Sequence, residues 1–131
     1  MSRFVVHVSA VLALSEREAE LPGEHQLLAP TLLRSQVLSA LHEAVHGGAL
    51  EPDAARRRLD WIGRLPVRLL GDAVLRRRAW EIADRLGWPS TYDAEYVALT
   101  LLQADALITL DKGLERAVRG IVETAPLTVL T

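Results

Sequence analysis

The chain contains no cysteine among its 131 residues, so it can form neither disulfide bonds nor thiolate metal sites. This absence fits a reducing cytoplasm, which is the compartment we expect. No run of about 18 uncharged apolar residues is present, and the first residues do not combine a basic segment with a long apolar one. We therefore expect neither a membrane span nor a signal peptide.

The chain also lacks a large excess of charge of either sign. It carries 15 Lys and Arg against 17 Asp and Glu, a formal net charge of −2, so its overall charge does not attract nucleic acid. No glycine-rich loop follows the first apolar segment, which argues against a P-loop or Rossmann nucleotide site. The length and the 50% content of hydrophobic residues predict one globular domain over residues 1–131.

What is present is an alternation of short apolar segments and helical patterns. "FVV", "PVRLL", "ALITL" and "PLTVL" predict strands, and "LLAP" is a further short apolar run. The segments between them show helical spacing, with Ser9, Asp53 and Asp72 expected as N-caps of three helices. Strands separated by helices predict an α/β fold, a three-layer α/β/α sandwich around a central parallel sheet.

Polar residues collect where two of these strands end. His7 follows the first strand and Asp111 follows "ALITL", and the carboxyl ends of parallel strands share one edge of a sheet. Asp93 and Gln36 lie near the starts of two helices and can reach the same edge. Each acid also has an ordinary structural role available: Asp93 completes a capping-box pattern with Ser90, and Asp111 can cap the helix that follows it.

Four segments carry a more specific signal through their order and spacing: "FVVHVSAVLAL", "LLAPTLLRSQVLSAL", "TYDAEYVALTLLQADALITLD" and "KGLERA". They resemble the corresponding segments of PIN domains, above all those of the VapC-type toxins of bacterial toxin–antitoxin pairs. The resemblance implies a PIN-like fold and a metal-dependent endoribonuclease with four clustered acidic residues. It further implies a VapB-type antitoxin partner, an RNA substrate and a homodimer.

Carried over by position, this resemblance places two of the four acids on Asp93 and Asp111. The first acidic position falls on His7 and the second on Gln36. The same resemblance assigns supporting hydroxyl groups to Ser9 and Thr109. We therefore take Asp93, Asp111, His7 and Gln36 as candidate catalytic residues.

The two substitutions predict weakened chemistry. Mg²⁺ prefers hard oxygen ligands, and Mn²⁺ accepts imidazole more readily, so Asp93, Asp111 and His7 are the candidate metal ligands and weak or absent Mg²⁺ or Mn²⁺ binding is expected. His7 has three possible roles, as a ligand, as a base or as a cationic partner of Asp93 or Asp111. Glu95 is expected to point away from Asp93, because residues two apart do not share a helix face.

Three other functions can be compared with this one. A PIN domain that has lost catalysis but still binds RNA or an antitoxin is the main alternative. Ser9, His7 and Asp111 contain the residue types of a hydrolase triad, but no nucleophile-elbow pattern accompanies them. Trp61 and Trp80 lie beside the arginine runs of "ARRRLDW" and "LRRRAWE", an arrangement that can bind RNA by stacking, although core or partner contacts and surface ion pairs are the more ordinary explanation.

Overall fold

The computed structural model describes all residues from 1 to 131. Its strands are β1 (Arg3–Val6), β2 (Gln26–Pro30), β3 (Val67–Leu70), β4 (Ala106–Ile108) and β5 (Thr124–Ala125). Its helices are α1 (Val8–Glu16), α2 (Leu32–His46), α3 (Pro52–Arg64), α4 (Ala73–Leu86), α5 (Tyr92–Gln103) and α6 (Lys112–Ala117), followed by a 3₁₀ helix at Leu127–Leu130. No helix has both the length and the apolar character that a membrane span requires.

The five strands form one sheet in the order β3-β2-β1-β4-β5. Every neighbouring pair is parallel, so all five carboxyl ends lie along one edge. β1 is central and almost wholly buried, with Val5 and Val6 at 0% exposure. Helices α1, α2 and α3 pack against one another, while α4 packs on α5 and α5 on β1, β2 and β4. The predicted α/β fold with a central parallel sheet is confirmed.

Three local predictions were wrong, and two of them concern helix caps. The cap of α1 is His7 rather than Ser9, because the His7 ring nitrogen accepts a hydrogen bond from the Ser9 amide. The helix α3 begins at Pro52, whose fixed φ suits the first helical position. Glu51 is therefore the cap residue, and Asp53 lies inside the first turn.

The third wrong prediction is the segment "PLTVL", which is not a strand. β5 ends at Ala125, and Pro126 follows with no amide hydrogen to donate to a sheet ladder. The chain then turns into the 3₁₀ helix, in which the Val129 amide donates to the Pro126 carbonyl at 3.1 Å. This turn buries Leu130 in the core at 4% exposure. The segment "PLTVL" is therefore apolar because the 3₁₀ helix buries Leu130, and not because the segment pairs in the sheet.

Candidate functional site

The site begins with two neighbouring strands that end side by side. β1 and β4 are paired so that Val6 lies opposite Ile108, and the next residues, His7 and Thr109, follow at the same edge. The His7 amide continues the ladder by donating to the Ile108 carbonyl at 2.9 Å. The side chains meet as well, with Thr109 Oγ1 3.2 Å from His7 Nδ1.

His7 forms a hydrogen bond with Asp93 of α5. Its Nε2 lies 2.9 Å from Asp93 Oδ1, and the two side chains are 6% and 41% exposed. His7 Nδ1 accepts from the Ser9 amide at 3.3 Å, and an amide nitrogen can only donate. This assigns the ring hydrogen to Nε2, so that a neutral imidazole donates to the Asp93 carboxylate. The partner of His7 is thus Asp93, not Asp111. Because His7 Nδ1 accepts from the Ser9 amide, the ring is the neutral donor and not the cationic partner.

Ser9 and Thr109 extend this hydrogen-bond network to the loop after β4. Ser9 Oγ lies 2.8 Å from His7 Nδ1 and 3.2 Å from Thr109 Oγ1, and it accepts from the Leu110 amide at 3.0 Å. A Ser–His–Asp arrangement therefore exists, with Asp93 as the acid. The Ser9 oxygen, however, is already bound on several sides within a half-buried junction, so it fastens α1 to the β4 loop rather than serving as a nucleophile.

Gln36 is held by a residue that the sequence did not single out, Tyr96. The Tyr96 hydroxyl donates to Gln36 Oε1 at 2.6 Å, and the Tyr96 ring meets the His7 ring edge-on with centroids 4.8 Å apart. Burial, followed by the nearby charges of Asp93 and Glu95, raises the pKa of the Tyr96 phenol well above its usual value, so the hydroxyl keeps its proton. The spacing from Asp93 to Tyr96, three residues on a helix, is the signal that could have identified it.

Asp111 joins the site through its backbone. Its amide donates to Thr109 Oγ1 at 3.0 Å, while its carboxylate accepts from the Leu114 amide at 3.0 Å and caps α6. The structure thus links His7, Asp93, Ser9 and Thr109 by side-chain contacts. Gln36 is attached through Tyr96, and the Asp111 carboxylate has the capping role that its position allowed.

The donor set does not fit the metal centre that the family resemblance implies. No group of three or more His, Asp or Glu side chains is arranged to hold a metal ion. One Asp93 oxygen is bound by His7, and the Gln36 carbonyl oxygen is bound by Tyr96. Mg²⁺ requires near-octahedral oxygen coordination, and here these oxygens are engaged with protein donors.

A cavity of about 490 Å³ lies on the other half of the same edge, beside the ends of β2 and β3. Its wall includes Glu95, whose charge also acts on the Tyr96 phenol, so this carboxyl group lies between the cavity and the His7 network. Burial raises the pKa of the Glu95 carboxyl. For Trp80 the sequence offers RNA stacking only as the less ordinary alternative, and it gives no sign of the cavity. Thr31 follows β2, and Gly71 and Asp72 follow β3. Had "LLAP" been predicted as a strand, the position of Thr31 at this edge of the sheet would have been expected.

Comparison with known proteins identifies relatives by sequence and by structure. No protein-family model matches the chain. A VapC ribonuclease of Mycobacterium bovis and Ribonuclease VapC9 of Mycobacterium tuberculosis are each 36% identical over 110 residues, which is 82% of this chain and 84% of each relative.

Solved structures share the fold at lower identity. PAE2754 from Pyrobaculum aerophilum matches with a TM-score of 0.72 and 20% identity over 98% of this chain and 93% of the other. A chain of VapBC2 from Rickettsia felis, solved bound to promoter DNA, matches with a TM-score of 0.69 and 7% identity over 95% and 98%. With a PIN-like sheet, polar groups at its carboxyl edge and curated relatives at this identity and coverage, the chain belongs to the VapC ribonuclease family.

Proposed function

We propose that residues 1–131 form a single VapC-type PIN domain, a member of a toxin–antitoxin pair, whose RNA cleavage is weak or absent as the chain stands. The observation that carries this proposal is the 2.9 Å hydrogen bond between His7 Nε2 and Asp93 Oδ1. It engages an oxygen of one of the two remaining acids with a proton donor, at the place where the family resemblance expects a dication.

Charge supports the same conclusion. Divalent ions in nuclease sites stabilise the charge that develops on the phosphate and activate water, and clustered carboxylates offset the positive charge of the ions. His7 and Gln36 contribute no negative charge in the observed network, which leaves two carboxylates. Mg²⁺ binding is therefore proposed to be weak, with Mn²⁺ less affected because it accepts imidazole more readily.

The partner we propose is a VapB-type antitoxin. Two of the similar solved structures are VapBC proteins, from Rickettsia felis and nontypeable Haemophilus influenzae, and the family relatives are named as ribonucleases. RNA is accordingly the proposed substrate, and a homodimer is the proposed assembly. If cleavage is absent altogether, the chain acts as a module that binds RNA or its antitoxin, which is the second candidate function.

The test is to rebuild the acidic positions. We expect His7→Asp combined with Gln36→Glu to gain cleavage of a mixed RNA pool in Mg²⁺ or Mn²⁺, while the unmodified chain cleaves feebly or not at all. Each single change is expected to be insufficient, because either substitution made alone adds only one negative charge to the site. Asp111→Asn in the doubly substituted background should abolish the gained activity.

A matched control separates local chemistry from net charge. His42→Asp with Gln103→Glu makes the same two chemical changes at exposed positions of α2 and α5, and it should gain no activity. Thermal unfolding of each variant checks that it is folded. Efficient cleavage by the unmodified chain that is lost in Asp111→Asn would overturn the proposal, because His7 would then be a working group. No gain in the folded double variant would favour the binding module.

A further inference from the structure

We propose that the cavity beside β2 and β3 binds one nucleotide of single-stranded RNA, with the base stacked on Trp80 and the phosphate held by Arg76. This inference rests on the proposed function, since it names where RNA would be held by a VapC-type domain. The cavity is about 490 Å³, within the range of small-molecule sites.

The cavity is distinct from the His7 network but close to it in the fold. Its walls come from the residues that follow β2 and β3, from α4, and from the N-terminal end of α5. Thr91 and Glu95 in its wall lie two residues before and after Asp93, so the N-terminal end of α5 borders both the cavity and the site. β1 lies between β2 and β4, which places the two features on adjacent parts of one sheet edge.

Trp80 and Arg76 provide the recognition chemistry. They lie four residues apart on α4 and therefore share one helix face, and both line the cavity. Trp80 is 66% exposed, which is unusual for the largest apolar side chain and leaves an indole surface free. Arg76 takes part in none of the ion pairs in the structure. An exposed aromatic ring beside a free cation is the arrangement by which proteins bind single-stranded nucleic acid.

The acidic residues decide which part of the nucleotide enters. Asp72 and Glu95 both line the cavity, and Asp72 is already engaged in accepting from the Leu75 amide at 2.9 Å. Two carboxylates would repel a phosphate deep in the cavity. The base therefore enters, the phosphate stays at Arg76, and Glu95 accepts from base N–H groups. Thr31 and Thr91 add hydroxyl groups that can bond to base or sugar.

The experiment measures binding of short labelled single-stranded RNAs to the full chain by fluorescence anisotropy, without relying on cleavage. Loss of one stacked base predicts a roughly 5- to 150-fold weaker affinity for Trp80→Ala, with Trp80→Phe retaining most of the affinity. Arg76→Ala should also weaken binding and reduce the salt slope by about one. Arg77→Ala removes the same charge from the neighbouring exposed position outside the cavity, and should change affinity little.

Equal affinity in Trp80→Ala and the unmodified chain would overturn the proposal, as would equal effects of Arg76→Ala and Arg77→Ala. No RNA binding by the unmodified chain would do the same, and would leave a peptide of the antitoxin as the occupant to test. These outcomes do not depend on whether His7→Asp with Gln36→Glu gains cleavage. That variant can fail to gain cleavage while Trp80→Ala still weakens RNA binding. It can also gain cleavage while Trp80→Ala leaves RNA binding unchanged.

Discussion

The two halves of the sheet's carboxyl edge differ in how their polar groups are used. At the ends of β1 and β4, His7, Ser9, Thr109 and Asp93 bond to one another, and no buried side-chain polar atom in the structure is without a partner. At the ends of β2 and β3, the edge opens into a cavity whose aromatic and cationic side chains face solvent. The sheet edge thus has one half in which polar side chains bond to one another and one half in which the side chains of Trp80 and Arg76 are exposed.

This difference shows how a single position can change the role of a site. An aspartate at position 7 would place two carboxylates together and would need a cation between them. The imidazole of His7 instead supplies its own proton donor to Asp93 and its own acceptor to Ser9. The hydrogen bonds among His7, Asp93 and Ser9 are therefore satisfied without an ion. We expect removal of the His7 side chain to destabilise the fold.

The largest effect on stability should follow from His7→Ala. The change leaves Asp93, Ser9 and Thr109 without their common partner and creates a small cavity, so we expect a loss of about 2–4 kcal/mol in the free energy of unfolding. Urea denaturation measures it. His42→Ala, at an exposed position of α2, should lose no more than about 0.5 kcal/mol. Similar losses for the two variants would mean that the His7 network contributes nothing.

A smaller, asymmetric effect is expected at the contact between Gln36 and Tyr96. Gln36→Leu leaves the buried Tyr96 hydroxyl without an acceptor, which should cost about 1–3 kcal/mol. Tyr96→Phe removes the hydroxyl itself, and water can replace it at the half-buried Gln36, so its cost should be lower. Urea midpoints of the two variants give the comparison. A larger loss in Tyr96→Phe would show that the contact of the hydroxyl with the Val8 backbone contributes more than its contact with Gln36.

The smallest effect on the free energy of unfolding should come from substitutions in the cavity wall beside β2 and β3. Trp80→Ala and Arg76→Ala change exposed side chains, so each should alter the free energy of unfolding by no more than about 0.5 kcal/mol. The same denaturation series measures them. A loss above about 1 kcal/mol in either variant would show that the cavity wall is structural, which would remove the contrast between the two halves.

Much of this architecture could be predicted from the sequence, because the strands are short apolar segments and the helices carry clear apolar stripes. The meeting of His7 with Asp93 was one of several possibilities, because the position of α5 over β1 depends on packing that no local pattern encodes. In the folded chain the His7 Nε2 reaches Asp93, whereas one oxygen of the Asp111 carboxylate caps α6. Tyr96 and the cavity were missed because each contact is created by residues from different elements.

The central claim is that the His7–Asp93 hydrogen bond occupies the place of a metal ion. Thermal unfolding with and without Mg²⁺ or Mn²⁺ tests it most directly, since an ion present at about 100 times its dissociation constant stabilises a protein by about 2.7 kcal/mol. We predict that Mg²⁺ leaves the unfolding temperature of the unmodified chain unchanged and that Mn²⁺ raises it at most slightly, whereas both ions raise that of His7→Asp with Gln36→Glu. An equal rise with Mg²⁺ in the unmodified chain would contradict the claim.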